Sequence, residues 1–429
     1  MEESIINRFL SLRRELRKDE VWRNVDFASV LAADFRTAAP DMECPYDQAC
    51  NIPDLETDLV QLENGFCRQP LRQLEGGIWV GGLAEMRKAH PEWVERALDR
   101  CALRSNPYLE LNGEGYSDGL AVYVPANTSA AKPIQLQSIL SNANPLFVQT
   151  RNVVVVGRNS KVCLLQCDDS YSQGATFSSN VTEILVEENA SVEHYKMQNL
   201  NDKAGLLNQT FVQMEGGSQL RSAVVTLNGG LIRNHTEVRM RGEGCNAEVN
   251  GLYLNDKEQR VDNYIFVEHA CPNCVSNELF KGIIDDSAQA TFNGHVLVCD
   301  GATKTEAYQS NKNILLTDKA VANTKPFLEI YNDDVKCSHG STIGQLDEQA
   351  LFYIRTRGIS ERTARTLLLY AFCDEVVQKI GVAPLRERLS DMVKRRLHGE
   401  LTACADCALH CNTPCNTLDR PFKIDVSKL

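Results

Sequence analysis

Two residues in the C-terminal part of the chain, Cys337 and His339, have the side chains and the spacing of a small metal site. One residue separates them, so both side chains leave the same face if the segment is an extended strand. A thiolate beside an imidazole suits iron or a bridging sulfide. From the residues alone, the alternative is a buried thiol and a surface histidine in a turn.

A second group of possible ligands lies near the C-terminus. The spacing C-x2-C-x3-C-x3-C places four thiols within a short segment, with His410 among them, at Cys404, Cys407, Cys411 and Cys415. Four thiolates can hold a tetrahedral zinc ion or an iron-sulfur cluster, although this spacing differs from the ferredoxin pattern. The alternative is an exposed tail that binds no metal.

Two further patterns favour structural roles. Cys271 and Cys274 have the C-x-x-C spacing of half a zinc site, but no second pair lies near them in the sequence. Glu268 and His269 could form another pair of ligands. For His269, a histidine satisfied at a strand edge is the favoured interpretation.

Composition limits the function classes. The sequence has no P-loop of the type G-x4-G-K-[ST], so we expect the chain to bind no nucleotide itself. With 45 basic and 57 acidic residues the net charge is -12, which argues against nucleic acid and anionic membranes as partners. Charged residues interrupt the N-terminus, and no apolar run approaches the roughly 18 residues of a membrane span. We therefore expect a cytoplasmic protein whose 16 cysteines are thiols.

The elements that must position these residues fall into four segments. Apolar residues at helical spacing predict an N-terminal helical domain over residues 1–115, with helices at Leu83 to Lys88 and Pro91 to Leu98. Short β-branched and apolar runs predict strands over 116–340. Helical periodicity returns over 341–400, where Ser360 is a plausible helix start and Gly381 a plausible stop. Residues 401–429 form the cysteine-rich tail.

A weak repeat runs through the strand segment. Each copy has a polar or glycine-containing turn, a small residue, a variable residue and then an apolar residue that enters a strand. The copies end at Val162, Val192, Leu220, Ala247, Ala290 and Ala322, and the interval from Ala247 to Ala290 is longer than the other four. The spacing is otherwise nearly regular, which favours a solenoid of stacked parallel strands over a β-sandwich of hairpins.

Six ordered sequence blocks between Arg260 and Ile359 resemble the core of the SufB/SufD family of iron-sulfur cluster assembly scaffolds. The blocks are RVDNYIFVEH, FKGIIDDSAQATFNG, YQSNKNILL, KPFLEI, DDVKCSHG and LFYIRTRGI. Within the family, the Cys-Ser-His-Gly form of DDVKCSHGST favours the SufD branch, because the SufB branch has a glutamate-rich version around its histidine.

The resemblance implies a right-handed parallel β-helix flanked by N-terminal and C-terminal helical domains. It also implies a non-catalytic subunit that pairs edge to edge with a SufB-like subunit and holds a transient iron-sulfur cluster at that interface, with His339 and Cys337 as the residues that handle it. A SufC-like ATPase would bind the C-terminal helices, in the region of Leu351, Phe352, Tyr353, Arg357, Gly358, Ile359 and Leu368.

Several alternatives stay open at this point. The chain could be a SufB-like subunit, or a homodimeric scaffold that assembles clusters without a separate SufB. A carbohydrate-active β-helix enzyme is a remote alternative, which predicts a groove lined by carboxylates and aromatic residues. The sequence leaves undecided whether zinc or an iron-sulfur cluster occupies the tail and whether a flavin associates with the complex.

Overall fold

The computed structural model describes residues 5–16, 18–31, 34–42, 52–102, 106–141, 144–170 and 174–398. The cysteine-rich tail, with Cys404, Cys407, Cys411 and Cys415, lies outside the described residues. In the part of the chain that is described, no helix is long and apolar enough to cross a membrane.

The N-terminal part mixes helices with short strands. Its elements are α1 (Ile5–Leu16), β1 (Arg36–Thr37), β2 (Asp58–Glu63), β3 (Phe66–Cys67), β4 (Arg72–Gln73), β5 (Trp79–Gly82), α2 (Leu83–Ala89), α3 (Pro91–Val94) and α4 (Pro107–Gly115). The expected helices α2 and α3 are present, but the expectation of a purely helical domain over 1–115 is corrected by the strands β1 to β5. These strands are too short for a period to be recognised, and β2 pairs with a strand that begins far along the chain, at Ile134.

Sixteen strands follow and form a parallel β-solenoid. They are β6 (Leu120–Val124), β7 (Ile134–Leu140), β8 (Leu146–Val156), β9 (Lys161–Ser170), β10 (Thr176–Val186), β11 (Ser191–Asn199), β12 (Gly205–Met214), β13 (Gln219–Asn228), β14 (Leu231–Met240), β15 (Asn246–Asn255), β16 (Arg260–His269), β17 (Val275–Ile284), β18 (Gln289–Val298), β19 (Thr305–Leu315), β20 (Val321–Ile330) and β21 (Val335–Gly344). From β6 onward, even-numbered strands form one sheet, the even sheet, and odd-numbered strands form the other, the odd sheet. We call the space between the two sheets the lumen.

The strand register explains the sequence repeat. The first four repeat ends, Val162, Val192, Leu220 and Ala247, lie level with one another in the odd sheet. The last two, Ala290 and Ala322, lie level in the even sheet. The longer interval between Ala247 and Ala290 therefore marks a change from one sheet to the other, and the solenoid itself continues without interruption.

The turns that lead from the even sheet to the odd sheet share one backbone requirement. A residue one or two positions before the odd-numbered strand has a left-handed φ of 56 to 75° in these turns, at Asn159, Asn189, Gly217, Gly244, Asn273 and Lys304. Glycine and asparagine adopt this conformation at the least cost. In the first four copies of the repeat, the polar or glycine-containing turn therefore reflects this corner of the solenoid.

The lumen holds the largest hydrophobic cluster, built from alternate residues of both sheets such as Val186, Met214, Val192 and Leu220. The N-terminal part covers the outer face of the even sheet through an aromatic cluster in which Phe9 contacts Phe147 and Phe177. A buried ion pair, Arg151 to Glu183 at 2.6 Å, anchors the same region because Glu183 also accepts from the amides of Asp99 and Cys101.

Two helices, α6 (Glu361–Val377) and α7 (Ala383–Leu397), cover the outer face of the odd sheet, and the shorter α5 (Glu348–Thr356) packs against α6. The side chain of Ser360 caps α6 by accepting from the amide of Thr363, as the sequence predicted. Two cations attach these helices to the solenoid: Lys281 donates to the Phe372 carbonyl at 2.9 Å, and Arg396 donates to the Leu227 carbonyl at 2.8 Å.

Gly282 offers a test of lumen packing. A Cβ added at Gly282 would lie 2.1 Å from the Tyr253 ring and 2.6 Å from Asn313 Oδ1. We predict that Gly282→Ala lowers the free energy of unfolding by about 1–3 kcal/mol in urea titrations, because the filled lumen must shift. Gly344→Ala is the matched control, since nothing lies within 4 Å of its added Cβ. Equal stability of the two variants would contradict this packing.

Candidate functional site at the open end of the solenoid

The last turn of the solenoid is uncovered. Strands β20 and β21 are the edge strands of their sheets and have no further turn to cover them. Large apolar side chains are exposed here, at Tyr308, Val321, Phe327, Ile330, Tyr331 and Ile343. An open strand edge combined with exposed apolar side chains is typical of a surface that another protein covers.

Cys337 and His339 lie on β21, at this open end. β21 pairs in parallel with β19, so Cys337 lies beside Ala307 and His339 beside Gln309. Cys337 packs against Val298 and Ala307 in the lumen, which means that His339, two residues along the strand, also faces the lumen side. The prediction that they share one face is confirmed. Cys337 is half-buried, and burial raises the pKa of its thiol, whereas His339 is exposed.

A polar column continues below His339 into the lumen. Gln309 donates from Nε2 to Glu278 Oε2 at 2.7 Å, and the two residues are register partners on β19 and β17. Both side chains are buried, and burial raises the pKa of the Glu278 carboxyl to about 8. Glu278 is therefore predominantly protonated at neutral pH. One oxygen of each side chain, Glu278 Oε1 and Gln309 Oε1, has no hydrogen-bond partner.

A surface groove of about 440 Å³ links this end of the solenoid to helix α6. Its walls include Tyr308, Ser338 and His339 from the odd sheet, together with Glu375 and Lys379. Glu375 lies on α6 and pairs with Lys281, and this hydrogen bond lowers the pKa of Glu375. The strand that carries His339 and the C-terminal helices therefore share one surface.

Two side chains at this end, those of Cys337 and His339, are of a type that can bind iron. Imidazole and thiol are good ligands for iron, and a thiolate can also bind sulfide-bridged iron. Among the described residues, no group of three or more His, Cys, Asp or Glu side chains is arranged to hold a metal ion. A tetrahedral iron at Cys337 and His339 therefore needs further ligands from a partner that covers the open end.

The residues expected to bind a partner ATPase differ in how far their side chains are exposed. Phe352 and Tyr353 on α5 are 69% and 60% exposed, and Arg357 donates to the Tyr353 hydroxyl at 2.8 Å. Leu351 is buried, while Ile359 and Leu368 are half-buried. Gly358 has a φ of 82° just beyond the C-terminal end of α5. Phe352, Tyr353 and Arg357 form the accessible part of this set.

The C-x-x-C pair lies at a corner of the solenoid. Cys274 is fully buried in the lumen, where its thiol donates to the Gly242 carbonyl at 3.4 Å. The half-buried Cys271 donates to the Arg241 carbonyl at 3.1 Å. Ser160, Ala190 and Ser218 occupy the place equivalent to Cys274 in earlier turns, so a small side chain is what this corner requires.

Glu268 and His269 do not form a pair of ligands. As neighbours in β16 they point to opposite faces: Glu268 contacts Arg239 and Arg241, whereas His269 lies buried in the lumen beside Ser276. Burial lowers the pKa of His269 to about 4, so the ring is neutral at physiological pH. This agrees with the structural interpretation of His269.

The stretch Gly115 to Gly119 matches the pattern G-x-S-x-G, which marks a nucleophile in some hydrolases. In those enzymes the serine lies in a turn from a strand into a helix. Here helix α4 precedes the stretch and strand β6 follows it. A Cβ at Gly119 would also lie 1.7 Å from the Arg151 carbonyl oxygen, so this glycine serves close backbone packing.

Sequence reasoning missed that Glu278 and Gln309 lie beneath His339. It also missed why the sequence blocks that contain FKG and FNG have glycine at these positions. In FKG, Phe280 fills the space above Gly251, and Gly282 leaves room for Tyr253. In FNG, Gly294 leaves room for the Gln309 amide. These glycines were visible signals of a tightly filled lumen, but the side chains they accommodate lie on other turns.

The fold and its open end define a class of protein: a parallel β-solenoid whose last turn is uncovered and offers its strand edges to another protein. Comparison with family models agrees. The model described as "SUF system FeS cluster assembly, SufBD core domain" matches residues 139–372, and the model "SufBD protein N-terminal region" matches residues 2–136.

Individual relatives extend over most of the chain. An iron-sulfur cluster assembly SufBD family protein of Synechocystis is 32% identical over 90% of this chain and 88% of the relative. The iron-sulfur cluster assembly protein SufD of Escherichia coli is 25% identical over 89% of each chain. The chloroplastic protein ABCI7 of Arabidopsis thaliana is 31% identical over 67% of this chain and 62% of the relative. The chain belongs to the SufBD family of the SUF iron-sulfur cluster assembly system.

The buried Glu278 carboxyl predicts an unusual pH dependence of stability. The folded chain keeps a proton that the unfolded chain loses above about pH 4.5, so this group lowers the free energy of unfolding as pH rises from 4.5 towards 8. We predict that Glu278→Gln removes this loss and is more stable than the parent chain by on the order of 2 kcal/mol at pH 8. Urea titrations from pH 5 to 8.5 measure it.

Glu258→Gln is the matched control, because Glu258 is exposed. This variant should follow the pH profile of the parent chain. A Glu278→Gln profile that also runs parallel to the parent would show that the carboxyl ionises normally in the folded chain.

Proposed function

We propose that this chain acts as a SufD-type scaffold subunit that helps to build a nascent iron-sulfur cluster at its open solenoid end, facing a SufB-type partner. The observation that carries the proposal is the position of His339: it is exposed on the uncovered edge strand of a SufBD-family solenoid, with Cys337 two residues away on the same face. The cluster is cargo that the subunit helps to assemble and then releases.

The SufD assignment is supported by two features. The segment around His339 reads Cys-Ser-His-Gly, the form that resembles the SufD branch. The Escherichia coli relative named SufD aligns over 89% of each chain. A SufB-like role or a homodimeric scaffold is the second candidate, because an open end with two ligands can be completed by any partner that supplies the others.

The partner surface has two components. The free edges of β20 and β21 offer backbone hydrogen bonds to strands of another subunit, and the exposed aromatic residues Phe327 and Tyr331 offer apolar contact. A solenoid of the same family has edges of the same shape. We therefore propose that the partner subunit continues both sheets across the interface.

A SufC-type ATPase is proposed to bind helix α5 through Phe352 and Tyr353. Large exposed aromatic residues are frequent energetic centres of protein interfaces. A groove joins α6 to Ser338 and His339, so we propose that movement of the helices is transmitted directly to the cluster site. In this proposal the chain hydrolyses no ATP itself and transmits the movement of its partner.

The remaining cofactor assignments are also proposals. Cys404, Cys407, Cys411 and Cys415 could hold zinc or a second iron-sulfur cluster, since four thiolates satisfy either. A flavin associated with the assembled complex would be detected by its absorbance during purification.

The assembly role is tested by anaerobic co-expression with SufB-type and SufC-type partners. We predict that His339→Ala lowers iron and sulfide per complex to background while the subunits still co-purify, because the exposed ring lies outside the packed lumen. Thr342→Ala is the matched control, as Thr342 is exposed on the opposite face of β21. Full iron content in the His339→Ala complex would contradict the assignment.

A second variant, which lacks residues 401–429, separates the two possible sites. The proposal predicts that this deletion leaves the cluster of the complex in place and removes at most a metal bound by the tail itself. Loss of the cluster in the deletion but not in His339→Ala would move the functional site to the tail.

The ATPase surface is tested by Phe352→Ala combined with Tyr353→Ala. We predict at least a tenfold loss of affinity for the SufC-type ATPase, since removing a central aromatic contact typically costs about 2 kcal/mol or more. Glu387→Ala, an exposed position on α7, is the control and should bind normally. Isothermal titration of the purified chain with the ATPase measures both. Unchanged binding in the double variant would place the ATPase elsewhere.

A further inference from the structure

We infer that Gln309, held in place by Glu278, is a positioning residue that orients the His339 imidazole for cluster assembly. This inference rests on the proposed function. It adds a supporting residue within the lumen, beneath the exposed His339 side chain.

The three residues form one column across consecutive turns of the odd sheet. Glu278 is level with Gln309, and Gln309 is level with His339. Neighbouring strands lie about 4.8 Å apart, and level residues of parallel strands stack at about that spacing, so the Gln309 amide is within reach of the imidazole above it. Glu278 and His339 are two turns apart, and Gln309 lies between them.

The orientation of the Gln309 amide is set from below. Its Nε2 donates to Glu278 Oε2 at 2.7 Å, which leaves Oε1 as the free end of the amide. That oxygen is buried and has no hydrogen-bond partner in the structure. An unsatisfied buried acceptor is costly, and a ring N–H of His339 is the donor on the neighbouring turn that can satisfy it.

The opposite wall of the lumen confines the amide as well. A Cβ added at Gly294, on β18, would lie 2.4 Å from Gln309 Nε2 and 2.8 Å from Oε1. The amide therefore has contact on two sides, at Glu278 and at Gly294. This confinement makes Gln309 a fixed acceptor rather than a mobile side chain.

A fixed neutral acceptor is suited to a histidine that binds metal. A ligating imidazole usually donates its second N–H to a carbonyl or carboxylate, which selects the tautomer and the ring orientation. An N–H bond to Gln309 would direct the other ring nitrogen away from the lumen, towards the partner surface. Burial keeps the Glu278 carboxyl predominantly protonated at neutral pH, so the support beneath the Gln309 amide carries little negative charge.

The first test examines the chain without partners, by nitrogen NMR of ¹⁵N-histidine-labelled protein, with the His339 signals assigned by their loss in His339→Ala. We expect one dominant tautomer in the parent chain and a mixture close to that of free histidine in Gln309→Leu. Gln309→Glu keeps an oxygen acceptor and should restore the single tautomer. Identical tautomer populations in the parent chain and Gln309→Leu would overturn the inference.

The second test measures iron and sulfide in the complex with SufB-type and SufC-type partners. Loss of a residue that orients a metal ligand typically weakens metal binding 10- to 100-fold, so we expect Gln309→Leu to retain roughly a tenth of the iron after gel filtration. Ser310→Ala, the outward-facing neighbour on β19, is the control. Full iron in Gln309→Leu, together with loss in His339→Ala, would reject the positioning role and leave the proposed function standing.

Gly294→Ala provides an independent variant if Gln309→Leu folds poorly. This variant retains the Gln309 side chain, but the added Cβ displaces its amide from the opposite wall of the lumen. We expect the same change of the His339 tautomer as in Gln309→Leu. The melting temperature of the variant is measured in parallel. If His339→Ala keeps its iron, the proposed function fails, and the NMR comparison alone decides whether the column exists.

Discussion

The parallel stacking of the solenoid turns determines which surfaces of the molecule are covered and which stay open. Each turn pairs with the next along its strands, so the strand edges are hydrogen-bonded within the solenoid and left open at its last turn. The N-terminal part covers one outer face and helices α6 and α7 cover the other, but β20 and β21 have no covering turn. The uncovered end is therefore where the protein can form new strand contacts and present ligands at once.

Side-chain packing in the lumen fixes the geometry of this open end. Phe280, Tyr253 and Gln309 fill spaces that Gly251, Gly282 and Gly294 leave open, so side chains from different turns interlock. Such packing fixes positions at the last turn because each turn rests on the one below. The half-buried Cys337 and the column beneath His339 are held in this way, while the imidazole itself stays accessible.

The sequence predicted the parts of the fold that depend on local patterns. The nearly regular repeat of turn motifs predicted the solenoid, and Ser360 predicted the start of α6, because each turn motif and the helix cap are encoded by neighbouring residues. The short strand β2 and the column of Glu278 and Gln309 could not be predicted in the same way. Their partners lie a full solenoid turn or more away along the chain, at a separation set by the length of each turn. Glu268 and His269 face opposite sides of β16, which agrees with the structural role that the sequence favoured for His269.

The central claim is that a histidine of this subunit, at the open end of the solenoid, is a ligand of the cluster that the complex builds. Pulsed electron paramagnetic resonance of the reduced complex tests it directly, when only this chain carries ¹⁵N-histidine and its partners carry ¹⁴N. The account predicts a ¹⁵N coupling to the cluster that disappears in His339→Ala. A cluster with no ¹⁵N coupling, at full iron content, would contradict it.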